Sequence, residues 1–592
     1  MSSREDQGRG FSSFRDLKRA LGGEQPSAGA EKPAASERGW TFVGSEAHLE
    51  AGLGPAGEVG FGSRDRIRRR PGGLGAMEHG PACYRDAESE ELGVLSSFHV
   101  RTVFPADVRA EVAGLPRDPR PADLEGRLDL RGETIFTIDG EDAKDYDDAI
   151  SIRELEGGAC EVGVHIADVA HYVRPGTALD DEALARATSV YVADQVVPML
   201  PEELSNHLCS LVEGRERLAY SVIMRFDAGG KRTDARVAKS VIQSVKRSTY
   251  RGVQELLDGL DTPDARALRS LEQPLRLFER WTKRQQALRD KKGSLRIASR
   301  EKKLVFDERH EPLRCVDAPR YFSMGLIEET ALAANQAVGD LFRARGLPTI
   351  YRVHREKDPE EVAAVARLLA EHKLRVPDKD RLTPRDIGRL IVAARKRPNA
   401  EALIQRIMGL VERAVYEVRD HQDVATHFGL AREAYLHFTS PIRRYPDLLV
   451  HRWLWAVESQ GGEAARELAV PELIADLNDA AAHCSAQAEV AEMAEMAIFD
   501  LKVCQMMHRH VGQKLAARVR RVSPAGLEVD LTDFNVTGFL PRRVLGERAE
   551  VQGDTLKVRA GRRTLAFTEG HPVGVRLQDV DFLRLQVLLE LA

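Results

Sequence analysis

Cysteine is scarce: six in 592 residues (Cys83, Cys160, Cys209, Cys315, Cys484 and Cys504), with no CxxC and no Cys/His ligand spacing. That argues against a zinc site or a disulfide framework and fits a reduced, cytoplasmic setting. No stretch reaches the roughly 18–20 apolar residues that a spanning helix needs, so no membrane partner is expected. The opening residues, MSSREDQGRGFSSFRD, lack the apolar core of a secretory signal. Positive charge is not in surplus either. With a formal net charge of −5, any grip on nucleic acid must come from local basic patches. What is present, 43% hydrophobic and 30% charged residues, describes a soluble globular chain with room for a large core and one or two smaller domains.

The chain falls into three textures. Residues 1–95 are rich in Gly, Ala, Ser and Arg, with a basic knot at 64–70 (RDRIRRR), and read as a poorly defined extension. A phosphate-contacting arm is the alternative reading there. Residues 96–510 carry strand patterns at 133–138, 160–173, 217–226 and 238–245. Helical patterns follow at 326–343, 359–372, 401–418, 448–458 and 480–507. Residues 511–592 hold short strands at regular spacing (LAARVRRV, GLEVDL, VTGFLP, TLKVRA, VGVRLQDV), which suggest an OB-fold barrel. The expected class is α+β: a large domain of mixed strands and helices, then a small β-barrel.

The densest chemistry lies at 137–148, TIDGEDAKDYDD, where Asp139, Asp142, Asp145, Asp147 and Asp148 fall within ten residues after an apolar strand. Carboxylates packed this closely repel, and a divalent cation relieves the repulsion. Magnesium suits the hard oxygen ligands and the lack of nearby thiolate or imidazole. Two alternatives stay open on the residues alone. One is a solvated acidic loop; the other is a calcium loop from Asp145, weakened because Ile150 stands where glycine is needed.

A second segment, YLHFTSPIRRYPDLLVHR at 435–452, places Ser440 and Pro441 in the grammar of a helix start. Arg443 and Arg444 beside a helix N-terminus make an anion site, since guanidinium can grip phosphate bidentately. An arginine pair bridging to carboxylates is the structural alternative.

Together these segments resemble the RNB-type catalytic domain of the ribonuclease II / ribonuclease R family. The matching stretches are TIDGEDAKDYDDAIS (137–151), VHIADVAHYV (164–173), VPMLPEELSNHLCSL (197–211) and AYLHFTSPIRRYPDLLVHR (434–452), with LIEETALAAN (326–335) weaker. The resemblance covers roughly 96–510. It implies processive 3′-to-5′ hydrolysis of single-stranded RNA to nucleoside 5′-monophosphates with Mg2+, with RNA bearing 3′ overhangs as a further candidate partner. By motif position it implies Asp139, Asp145, Asp147 and Asp148 as a metal-binding catalytic quartet, with Asp139 and Asp148 the best placed for direct ligation, Asp147 also catalytic, and Asp142 a bystander. Arg443 and Glu495 would be catalytic, Arg443 by stabilising charge on the scissile phosphate and Glu495 from a helix near the active site. Tyr191 and Tyr250 would stack on terminal nucleotides, Glu328 would meet the terminal ribose, and Arg444 would contact RNA. The chain departs from the family pattern at Ile297, where an aromatic base clamp is usual, and in showing no cold-shock-type domains within 1–95. Its barrel carries GLEV at 526–529 where RNA-binding relatives show aromatics. Phe534, Phe539, Arg518, Arg520, Arg521, Arg542 and Arg543 remain there as support.

Overall fold

Cys160–Ala167 is buried along its whole length, and its place in the structure explains why. The computed structural model describes residues 82–84, 88–295, 301–355, 357–377, 382–397, 400–419, 426–460, 469, 471–545, 549–552, 555–560 and 563–592. In it that strand is the middle of a seven-stranded sheet. The sheet strands are β1 (Leu128–Asp129), β2 (Phe136–Asp139), β3 (Asp148–Glu154), β4 (Cys160–Ala167), β5 (Glu216–Phe226), β6 (Arg232–Gln243) and β7 (Lys246–Thr249). Their order is β1-β6-β5-β4-β3-β2-β7; β1–β6 and β2–β7 run parallel, and the other neighbours antiparallel.

Six helices matter below: α1 (Ser89–Ser97), α2 (Tyr250–Leu257), α3 (Glu272–Lys292), α4 (Phe322–Arg345), α5 (Tyr445–Gln460) and α6 (Pro471–His508). The sequence reading did not mark α3, because its charged residues mask a narrow apolar stripe. Leu275, Phe278 and Trp281 form that stripe and are buried. Phe278 meets Phe136 edge-on at 6.1 Å, and Trp281 meets Phe226 at 5.3 Å, worth about 0.5–1.5 kcal/mol per pair beyond area burial. On α4, Gly339 lets the chain at Ala434 approach closely, because a Cβ there would collide with the Ala434 carbonyl. That contact seats the segment leading to the two arginines.

Five strands close a barrel: β8 (Lys514–Ser523), β9 (Gly526–Leu531), β10 (Val536–Pro541), β11 (Pro572–Asp581) and β12 (Gln586–Leu591), in the order β8-β9-β10-β12-β11. It is consistent with the expected OB-fold, and the α+β class holds. The TLKVRA stretch is not a barrel strand. It is the middle strand of a separate sheet of three (Ala549–Gln552, Thr555–Ala560, Arg563–Thr568). The barrel shares one hydrophobic core with α1 and the C-terminal half of α6.

Four other expectations change. Residues 401–418 are not one helix: the helix is Ala400–Met408, and Ala414–Arg419 is a strand paired with Thr349–His354. Its Val415, Tyr416 and Val418 favour a pleated surface once a distant partner supplies hydrogen bonds. The strand expected over 160–173 stops at Ala167, and Val169–Tyr172 is a helical turn. Within 1–95, α1 is a packed helix whose Glu91 pairs with buried Lys502 of α6 at 2.6 Å; residues 1–81 and 85–87, including the basic knot, lie outside the described residues. The calcium-loop alternative fails because 148–154 is a sheet strand. Among the described residues no helix is long and apolar enough to cross a membrane.

Candidate active site

Sheet register gathers the acids. Phe136 lies opposite Ile150, which brings the end of β2 alongside the start of β3, and Asp139 pairs with Thr249 of β7. Asp139, Asp148 and Tyr250, the first residue of α2, therefore share one edge of the sheet. The turn between β2 and β3 is pinned from behind. The Tyr146 amide donates to Ser210 Oγ (2.9 Å), and that hydroxyl donates to the Lys144 carbonyl (2.7 Å). Asp142 projects into solvent 3.9 Å from Lys303.

Asp147 is 4% exposed, and the other three acids of the quartet are half-buried. Burial raises all four carboxyl pKa values, Asp148 to about 6. Mutual repulsion adds to this at Asp139 and Asp147, and Arg443 opposes it at every one. Asp139 Oδ2 and Asp147 Oδ2 are buried without a hydrogen bond. Such orphaned oxygens in a ring of acids fit a cation. Among the described residues, however, no three His, Cys, Asp or Glu side chains converge tightly enough to hold a metal ion by themselves. The arrangement matches a hard ion that takes one or two carboxylates and completes its shell with water and phosphate oxygens, as magnesium does.

The arginine loop sits directly on this edge. Residues 440–444 form a turn rather than a helix start: the Arg443 and Arg444 amides both donate to the Ser440 carbonyl (3.3 and 3.0 Å), and α5 begins only at Tyr445. The helix-start expectation for Ser440 and Pro441 is thereby corrected. The Ile442 amide donates to Asp147 Oδ1 (2.9 Å), fastening the turn to the acids. On its far side the Ser189 amide donates to the Arg443 carbonyl (3.0 Å). Arg443 Nε lies 3.6 Å from Asp147 Oδ2. Burial works against its charge, but the Tyr191 hydroxyl and the Asp147 carboxylate outweigh burial and raise its pKa.

Tyr191, 41% exposed, is held in turn by α6: its amide donates to Glu495 Oε1 (2.8 Å). Asp147, Arg443, Tyr191 and Glu495 thus form one connected chain. Tyr250 stands beside the acids; burial, then Asp148 and Asp139, raise its pKa. Two predicted residues have partners of their own. Arg444 is held by the fully buried Asp447 through bonds of 2.9 and 2.7 Å, so the carboxylate-bridging alternative describes it better than RNA contact. Glu328 accepts from Arg289 (2.6 Å), and its described contacts do not reach the aspartates.

Residues 127–460, more than half of the chain, match the family described as the RNB domain. The chain belongs to the RNB family. Ribonuclease R of Thermotoga maritima is 39% identical over 441 residues, covering 74% of this chain and 61% of that protein. The chain therefore spans about three fifths of that relative's length. Mycoplasma genitalium RNase R in complex with ribose-methylated single-stranded RNA shares the fold, with a TM-score of 0.72, 23% identity, and coverage of 85% of this chain and 77% of that one. So does yeast Ssd1, a pseudonuclease, with a TM-score of 0.60, 18% identity, and coverage of 81% and 59%.

Within the RNB domain, sequence reasoning overlooked Arg247. It lies over the Tyr146 ring (5.7 Å), donates to the Gly140 and Glu141 carbonyls, and opposes the raised pKa of Asp139. The signal was available in its place on β7, two residues before the Thr249 that pairs with Asp139. A basic cluster behind the arginine loop was also overlooked. Arg352 covers Tyr416 at 4.4 Å, and Tyr416 Oη bonds His437 Nδ1 at 2.9 Å. Burial, with Arg444 and Arg352, keeps His437 well below the usual imidazole range. In the barrel, Arg520 and Arg521 pair with Asp530 and Glu528, whereas Arg542 and Arg543 are exposed. Ile297 lies outside the described residues.

Proposed function

We propose that this RNB protein is a processive 3′-to-5′ exoribonuclease that hydrolyses single-stranded RNA to nucleoside 5′-monophosphates. The observation that carries the reading is the single connected chain of Asp147, Arg443, Tyr191 and Glu495 set against Asp139 and Asp148. Both halves of a phosphoryl-transfer site are present, an acidic pocket and a cation held beside it.

Asp139 and Asp148 would hold magnesium, with Asp145 as a further carboxylate. When bound, magnesium neutralises phosphate charge and lowers the pKa of water. Arg443 presents its guanidinium to the non-bridging oxygens of the scissile phosphate, where negative charge grows during attack. Asp147 works through position: one oxygen anchors the Ile442 amide and the other faces Arg443. The Tyr191 hydroxyl limits the rotation of Arg443, and Glu495 fixes the backbone that carries Tyr191. Tyr250 and the exposed face of Tyr191 stack on the last bases, which suits an enzyme that advances through any sequence.

Incubation of 5′-labelled RNA and DNA with magnesium tests the reading. Direct accumulation of a short labelled end product from RNA alone is expected. A ladder of internal cuts, equal loss of DNA, or tight RNA binding without hydrolysis would overturn it. The last outcome would mark a pseudonuclease.

A further inference from the structure

One conspicuous motif, VPMLPEELSNHLCSL at 197–211, meets the site only through Ser210, which pins the acidic turn. Its centre, Glu203–Leu208, is a turn of π-helix, a form that appears mostly as single turns and frequently at functional sites. It borders a surface pocket of about 400 Å³ lined by Lys144, Tyr146, Glu202, Asn206, His207 and Val212, within the size range of small-ligand sites. We infer that this pocket receives the nucleoside 5′-monophosphate released by the aspartate site, an inference that rests on the exonuclease reading.

The pocket and the aspartate site are back to back. Asp147 bonds the arginine turn on the catalytic edge, whereas Lys144 and Tyr146 line the pocket. Tyr146 is the partition, with Arg247 laid over its ring from the catalytic side. The tie of Ser210 to the amide of Tyr146 and the carbonyl of Lys144 joins the acidic turn to the end of the motif.

The lining chemistry matches one ligand class. Lys144 and His207 supply N–H donors for a phosphomonoester, and neither makes an ion pair among the described residues. Glu202 can accept from ribose hydroxyls, the Asn206 amide can both donate and accept at a base edge, and Val212 adds an apolar surface. A phosphomonoester at one end, hydroxyls and a flat heterocycle describe a mononucleotide.

Calorimetric titration of 5′-UMP into the full chain in EDTA tests this without turnover. Saturable binding is expected, weakened roughly tenfold by Lys144→Glu and by His207→Ala, as loss of a charge-assisted bond predicts. Asp139→Asn should leave that binding in place, and uridine, lacking phosphate, should bind far more weakly. Both pocket positions are exposed, so neither variant endangers folding. The inference is overturned if 5′-UMP does not bind saturably, or if Asp139→Asn removes binding that Lys144→Glu retains. RNA hydrolysis without UMP binding overturns the pocket alone. UMP binding at the pocket without RNA hydrolysis keeps the pocket as a mononucleotide site but overturns the exonuclease reading and, with it, the pocket's role for a released product.

Discussion

Asp147 and Asp168 lie at neighbouring ends of the same sheet, and the Asp147 carbonyl accepts from the amide just before Asp168. Both are almost fully buried, yet their surroundings are opposite. Asp168 has Arg127 at 2.7 Å and Lys239 at 3.2 Å. Burial pushes its pKa up, but Lys239, Arg127 and His171 outweigh burial and hold it well below the usual range. Asp147 shares Arg443 with three other acids, and its pKa rises. The fold can therefore supply cations to a buried acid where it needs only stability. At the acidic edge it leaves acids short of cations, a local conflict of the kind that marks functional sites.

The largest expected effect is on turnover. Asp147→Asn should nearly abolish RNA hydrolysis, and Arg443→Ala should lower kcat by roughly 10²–10³-fold, with RNA binding largely kept in a filter-binding assay. Undiminished degradation by Asp147→Asn would break the contrast. Asp168→Ala should do the reverse. It leaves Arg127 and Lys239 uncompensated and should cost roughly 3–5 kcal/mol in denaturant unfolding, while the folded molecules still cut.

The pH dependences of the two acids carry opposite signs. The pKa of Asp168 is lowered on folding, so its stabilisation is present above the unfolded aspartate value and is lost as pH falls. That of Asp148 is raised from 3.8 to about 6, so its contribution to stability diminishes as pH rises through that window. In EDTA, Asp148→Asn should raise Tm by roughly a few degrees at pH 7.5 and leave it unchanged near pH 3.5. An equal gain at both pH values would contradict the assigned cause. The smallest effect belongs to the barrel. Removing exposed Arg542 and Arg543 should weaken RNA binding a few-fold and reduce the salt slope by about one per lost contact. Removing the paired Arg520 and Arg521 should change it less.

Much of the site was legible because it is local. The acidic run lies in one strand–turn–strand unit, so spacing along the chain foretold proximity in space. The arginine turn was recognisable as a motif, but its geometry was not. Ser–Pro reads as a helix start, and only the tertiary clamp between residues 187–191 and Asp147 holds it as a turn. Contacts such as Tyr191 with Glu495, 304 residues apart, have no signal in spacing. Arg444 and Glu328 have partners of their own: Asp447, three positions on within the same motif, and Arg289, 39 positions away on another helix. The strand at 414–419 hid inside a helical pattern because its partner strand lies sixty or more positions upstream.

The Ile442-to-Asp147 hydrogen bond also orders events in time. During synthesis the acidic turn leaves the ribosome 295 residues before the amide that anchors it, and Glu495 follows later still. A nascent chain thus carries its carboxylates long before it carries the arginine turn that is fastened to them, so this site can assemble only late in synthesis.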